Sequence, residues 1–218
     1  MKISVCVPCM DKVDTAFVQA LTRLDRGQDE LEFFFTSCSL VYMARNQLAQ
    51  KAFDSDLTLW LDSDMVFEPD LLQRMKTSME RNKVDFLTAL AFRRRPPYSP
   101  CIYKQLIYRD DNKSTAVEYW DYPEDGAFQV EACGFANVLM KSQILWDCAE
   151  KFHDIFLPVA GYGEDISACM RFRQIGYKLW ADPRIKVGHL TQMVITDKMW
   201  KQSKAGLQSK QEDKNGVS

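Results

Sequence analysis

The 218-residue sequence holds only two histidines, His153 and His189. That scarcity argues against a histidine-rich metal centre or a relay of several imidazoles. No stretch approaches the roughly 20 consecutive apolar residues of a membrane-spanning helix. The first apolar run, Ile3 to Val7, is too short for the core of a secretion signal and ends at Pro8. An excess of one charge is lacking too: 28 Lys and Arg stand against 30 Asp and Glu, a formal charge of −2. A partner held by bulk positive charge, nucleic acid above all, is therefore not expected. Cysteine is present, seven in all, but without a pairing pattern, and a chain of this length needs no staples. Free thiols in a reducing, cytoplasmic setting are the reading. Cys6 and Cys9 do form a C-x-x-C. Cys6 lies in a strand pattern, however, where a thiol behaves as a small hydrophobe.

What is present suits one domain with a substantial core: 46% apolar and 12% aromatic residues. Ile3–Val7 and Leu57–Leu61 read as buried strands, and Leu31–Phe35 and Val84–Leu90 as further strands. Between them, Thr15–Arg26, Met43–Phe53 and a segment from Pro69 to Asn82 carry helical periodicity. This alternation predicts an α/β fold with a mostly parallel sheet covered by helices on both faces. After residue 92 the pattern changes. Arg93-Arg94-Arg95-Pro96-Pro97 cannot be helical, and residues 101–132 read as short strands with turns at Asp110-Asp111-Asn112 and Pro123–Gly126. Ser142 is placed to cap a helix, a second helix runs from Glu164 to Ile175, and Gly176 ends it. Short strands follow at Tyr177–Ala181 and Ile185–Val187. The expected division is a domain over 1–195 and a polar, partly mobile segment over 196–218.

In parallel sheets, ligands bind beyond the carboxyl ends of the strands. Pro8, Cys9, Asp62 and Asp64 therefore belong on one rim. Asp62-Ser63-Asp64 follows a buried strand directly, and two carboxylates there call for a cation or strong donors. Hard oxygen ligands suit Mg²⁺ or Mn²⁺ completed by substrate phosphates, although a D-x-D alone is also a common acidic turn. Gly161-Tyr162-Gly163 precedes Glu164 and Asp165 at a helix start, where acids are favoured by the free amides. There they are either ordinary helix decoration or a general base that glycines leave open to substrate. His189 follows a strand and a glycine, and imidazole makes a good third ligand for Mn²⁺. Arg45-Asn46 either offers a cation to phosphate or is a surface pair. The Arg93–Arg95 run either meets an anion or is a solvated loop. Trp60, Trp146 and Trp180 have apolar neighbours and read as core, whereas Trp120 stands in a polar segment.

In their order, Pro8, Arg45-Asn46, Asp62-Ser63-Asp64, Gly134-Phe135-Ala136, Gly163-Glu164-Asp165, Gly176-Tyr177 and Gly188-His189 resemble the nucleotide-sugar-dependent glycosyltransferases of the GT-A fold, nearest to the large family-two-like group. The resemblance covers residues 1–190. It implies a Rossmann-like sheet with a small antiparallel acceptor-side segment, a UDP- or GDP-sugar donor and a divalent metal, Mn²⁺ or Mg²⁺. It implies Asp62, Asp64 and His189 as metal ligands, Asp64 directly and Asp62 through ribose or water. It puts Pro8, Cys9, Asp11, Arg45, Asp62, Ser63 and Gly134 around the donor. Asp165 becomes the catalytic base of an inverting transfer, with Glu164 binding hydroxyls. The acceptor would be a glycan, a lipid-linked species or a protein, and the chain one domain of a longer protein or a minimal enzyme. Two departures stand out: Cys9-Met10-Asp11 replaces the usual Thr-Tyr-Asn, and Phe33–Cys38 lacks the acidic pair that often faces the base. A retaining transferase of the same fold remains a rival, as does a non-catalytic carbohydrate-binding domain. A sugar-nucleotide pyrophosphorylase should carry a glycine-rich loop where Cys9-Met10-Asp11-Lys12 stands.

Overall fold

The chain folds in the order β1 (Lys2–Cys9), α1 (Thr15–Thr22), β2 (Glu30–Ser37), α2 (Val41–Lys51), β3 (Leu57–Leu61), β4 (Met65–Val66), α3 (Leu71–Asn82) and β5 (Phe86–Leu90). It continues with β6 (Ile102–Ile107), β7 (Thr115–Glu118), β8 (Phe128–Val130), β9 (Ala132–Cys133), β10 (Asn137–Lys141), α4 (Gln143–Phe152), α5 (Glu164–Gln174), β11 (Leu179–Lys186) and β12 (Gly188–His189). This computed structural model describes residues 1–109, 113–192, 196, 197, 199 and 201. The expected turn at Asp110-Asp111-Asn112 and nearly all of segment 196–218 lie outside the described residues.

Alternating burial explains the layers. Ile3, Val5 and Val7 of β1 join one apolar cluster and Cys6 joins the other. Leu57, Leu59 and Leu61 of β3 divide from Trp60 in the same way, as do Leu87 and Ala89 of β5 from Phe86 and Leu90. Successive side chains on a strand point to opposite faces, so a strand with buried apolar residues on both faces needs cover on both sides. On the first side, α1 and α3 supply Phe17, Leu72 and Met75. On the second, α2, α4 and α5 supply Leu48, Ile144, Leu145 and Phe172.

The main sheet has the order β2-β1-β3-β10-β5-β11-β8. β1, β2, β3, β5 and β11 run one way, while β8 and β10 run against them. The fold is therefore mixed α/β, a mostly parallel sheet flanked by helices, with small antiparallel sheets β7-β6-β9 and β12-β4 beside it. One antiparallel strand interrupts the parallel run. β10 lies between β3 and β5 and pairs antiparallel with both. It enters from the rim through Gly134–Ala136, and the ladders of β3 and β5 satisfy its amides from either side.

Smaller corrections have local causes. α1 stops at Thr22, short of the expected Arg26. Residues 177–187 hold one strand with a register shift between Asp182 and Lys186, not two strands. Pro69 precedes α3. Ser142 does stand at the start of α4, but its hydroxyl bonds Thr58 Oγ1 at 2.8 Å inside the core and caps nothing. Trp146 is half-exposed on α4, edge-on to Phe53 at 5.3 Å, and is not core. Among the described residues no helix is long and apolar enough to cross a membrane.

Candidate functional site

The buried strand β3 ends at Leu61, and the chain must turn where its apolar partners end. Asp62 N–H donates to the Ala136 carbonyl (3.0 Å), and Met65 N–H to the Asp62 carbonyl (3.2 Å). This closes a tight turn over Asp62-Ser63-Asp64. β12 then returns beside the turn: His189 pairs with Met65 in register, and Leu190 N–H donates to the Asp64 carbonyl (2.9 Å). That pairing, between strands far apart in sequence, brings His189 Nε2 to 3.4 Å from Asp64 Oδ1. The other ring nitrogen, Nδ1, lies 2.9 Å from the Phe92 carbonyl, which only accepts. In the neutral ring Nδ1 thus carries the proton and Nε2 presents a lone pair toward Asp64. Once protonated at Nε2 the ring donates to Asp64, which raises the His189 pKa; burial works to raise the Asp64 carboxyl, but the ring and Arg94 together hold it below its ordinary value.

A carboxylate beside a free imidazole nitrogen fits a divalent cation. Among the described residues no group of three His, Cys, Asp or Glu side chains is arranged to hold one. Further coordination positions would fall to substrate phosphate and water. Asp62 points elsewhere: its Oδ1 accepts from Arg45 Nη2 at 2.8 Å.

Arg45 is the internal cation of the site. Its side chain is 3% exposed, lies within 6 Å of the rings of Trp60, Phe135 and Phe156, and has Glu164 Oε1 3.5 Å from Nε. Three aromatic faces offset part of the desolvation of the guanidinium. The neighbouring Asn46 is structural; its Oδ1 accepts from Phe156 N–H at 3.0 Å and so ties α2 to the loop after α4. Burial raises the Asp62 pKa, with Arg45 opposing and the Asp64 and Glu164 charges adding to the rise.

Glu164 and Asp165 open α5 behind Gly163. The two acids part in environment. Glu164 faces Arg45, whereas Asp165 faces the backbone: its Oδ1 accepts from Ile166 N–H at 2.7 Å. Burial, and then the charge of Glu164, push the Asp165 carboxyl up to about 6. Gly134 stands against it; a Cβ there would lie 3.7 Å from Asp165 Oδ2 and 3.4 Å from the Cys101 side chain. A carboxyl poised near neutrality is suited to accept a proton.

A cleft of about 320 Å³ gathers Pro8, Cys9, Arg45, Asp62, Ser63, Asp64 and Glu164 on its walls, with Cys38 and Val41 from the loop and helix after β2. Asp11 is exposed in the loop after β1 and does not line it. Gly134 lies behind it beside Asp165. Arg94 also reaches the cleft, its Nη1 2.7 Å from Asp64 Oδ2. The sequence offered three adjacent arginines with nothing to single one out. The structure separates them: Arg93 turns to Tyr103 and Glu118, and Arg94 turns to the cleft.

No protein-family model matches the sequence, and no curated protein does. Solved structures share its fold. A197 from STIV has a TM-score of 0.63 at 17% identity, over 88% of this chain and 87% of that one. GalNAc-T7, solved with UDP, GalNAc and Mn²⁺, has 0.60 at 11% identity, over 88% of this chain and 43% of its own. S. aureus TarS 1–349, solved with UDP-GlcNAc, has 0.58 at 15% identity, over 89% and 60%. The chain thus spans less than two thirds of the last two. The common ground is the GT-A arrangement of sheet and helices that the sequence resemblance implied.

Proposed function

We propose that the chain is a glycosyltransferase, moving a sugar from a UDP- or GDP-sugar to the hydroxyl of a glycan, lipid-linked or protein acceptor, with inversion. One observation carries the reading. A single cleft at the carboxyl ends of parallel strands joins the Asp62-Ser63-Asp64 turn to Glu164 at the start of α5; Asp165, the next residue, does not line the cleft but stands behind it beside Gly134, its carboxyl pushed up to about 6 by burial. The fold shared with two proteins solved with UDP or a UDP-sugar supports it.

In this reading the nucleoside packs against Pro8 and Cys9, and Asp62, Ser63 and Arg45 border the ribose and diphosphate. A divalent cation held by Asp64 and His189 would neutralise charge on the departing diphosphate. The protein's own chemistry lies in Asp165. Its carboxylate takes the acceptor proton while the acceptor oxygen bonds to the anomeric carbon, and the bond from that carbon to the diphosphate oxygen breaks. Glu164, held by Arg45, binds hydroxyls. Gly134 leaves room for the acceptor next to Asp165.

A thermal-shift screen of nucleotide sugars with and without Mn²⁺ tests this. Ligand binding to the folded state raises the melting temperature by mass action. A metal-dependent rise with one class of nucleotide sugar is expected. No rise with any of them at millimolar concentration, Mn²⁺ present, refutes the reading.

A further inference from the structure

The two arginines of the cleft neutralise its carboxylates in different ways. Arg45 is 3% exposed, enclosed by three aromatic rings and paired with Asp62 at 2.8 Å. Moving it would expose those rings and strand two carboxylates. Arg94 is 52% exposed and holds Asp64 through one contact of 2.7 Å. Ion pairs of that exposure are worth little and part readily.

The loop that carries Arg94 is tied at its base and free at its side chain. Arg93 N–H donates to the Ser99 carbonyl (2.9 Å), Phe92 bridges Pro100, and Ser99 Oγ donates to Glu118 Oε1 (2.8 Å). The backbone therefore keeps Arg94 at the mouth of the cleft while its guanidinium can change partner. Its contact on Asp64 lies at the same carboxylate that faces His189, so a cation arriving between Asp64 and His189 competes with it. A diphosphate in the cleft offers the displaced guanidinium several charged oxygens in place of one. Charge-assisted contacts to phosphate are stronger than a surface ion pair, and the planar fork of Arg suits them.

We infer that Arg94 is a built-in counter-cation: it neutralises Asp64 when no donor is bound and passes to the donor's diphosphate as cation and donor enter. The second half rests on the nucleotide-sugar reading above; the first does not.

The test uses Mn²⁺ alone, and pyrophosphate with Mg²⁺, on the wild-type chain and on Arg94→Ala and Arg94→Lys. Titration calorimetry reads both. Arg94→Ala is expected to bind Mn²⁺ about two- to fivefold more tightly, because its competitor is gone, and to bind pyrophosphate at least about tenfold more weakly. Arg94→Lys should fall between on both. These opposite signs do not arise from a structural role, and unchanged melting temperatures control for folding. Mn²⁺ binding unchanged or weakened in Arg94→Ala overturns the counter-cation. Pyrophosphate binding unchanged in it overturns the transfer to phosphate. UDP and GDP that bind no more tightly than pyrophosphate would instead count against the nucleotide site and leave both Arg94 results to be judged separately.

Discussion

Replacing Asp165 with asparagine separates the charge of this carboxyl from its shape. The amide oxygen can still accept from Ile166 N–H, the 2.7 Å contact that orients the side chain. What disappears is a buried negative charge beside Glu164. Moving a carboxyl from 3.8 to about 6 corresponds to roughly 3 kcal/mol of destabilisation once it is ionised. Residual exposure of the side chain lowers the gain from removing it to about 1–3 kcal/mol. The sign follows from proton linkage. The folded protein binds this proton more tightly than the unfolded chain does, so wild-type stability falls as pH rises from about 4 to about 6. Asp165→Asn lacks that fall. It should match the wild type near pH 4 and exceed it at pH 8, where a gain of about 2 kcal/mol raises the melting temperature by about 4–8 °C. Calorimetry at the two pH values reads the difference. Transfer activity should be lost in the same variant, with donor binding retained. A melting difference equal at both pH values would refute the burial argument, and wild-type turnover would refute the base assignment.

Other consequences are quicker to state. The wild-type kcat/KM for transfer should rise with pH to a plateau above about 6, as Asp165 loses its proton; a profile flat from pH 5 to 8 argues for another base. Asp64→Ala should abolish Mn²⁺-dependent donor binding, and unchanged donor affinity by calorimetry would contradict this. Arg45→Met should cost about 3 kcal/mol in urea denaturation, since it leaves Asp62 and Glu164 without their buried cation; a loss under about 1 kcal/mol would mean those acids are solvated. Gly134→Ala meets only ordinary contacts and should change stability by less than about 1 kcal/mol, while raising the acceptor KM by narrowing the approach to Asp165.

The sequence alone determined the four strands of the first half and their order along the chain, because runs such as Leu57–Leu61 are apolar at every position but Thr58 and must be covered on both faces. It also determined that Asp62-Ser63-Asp64 stands on the rim, since carboxylates cannot continue a strand of that kind into the core. Glu164 and Asp165 at a helix start were legible for the same local reason. The division of labour between neighbouring residues was not. Arg45 read either as a cation offered to phosphate or as a surface residue; it is a buried cation, because Phe135 and Phe156 close over it from segments about a hundred residues away. Asp165 differs from Glu164 only through what packs around each. β10 between β3 and β5, and His189 beside Asp64, depend on strand pairings between remote segments. Local periodicity reports which face of an element is apolar, whereas the partner across a ladder is chosen by the whole chain. Only the tertiary structure decided which charges meet, and those meetings give the cleft its chemistry.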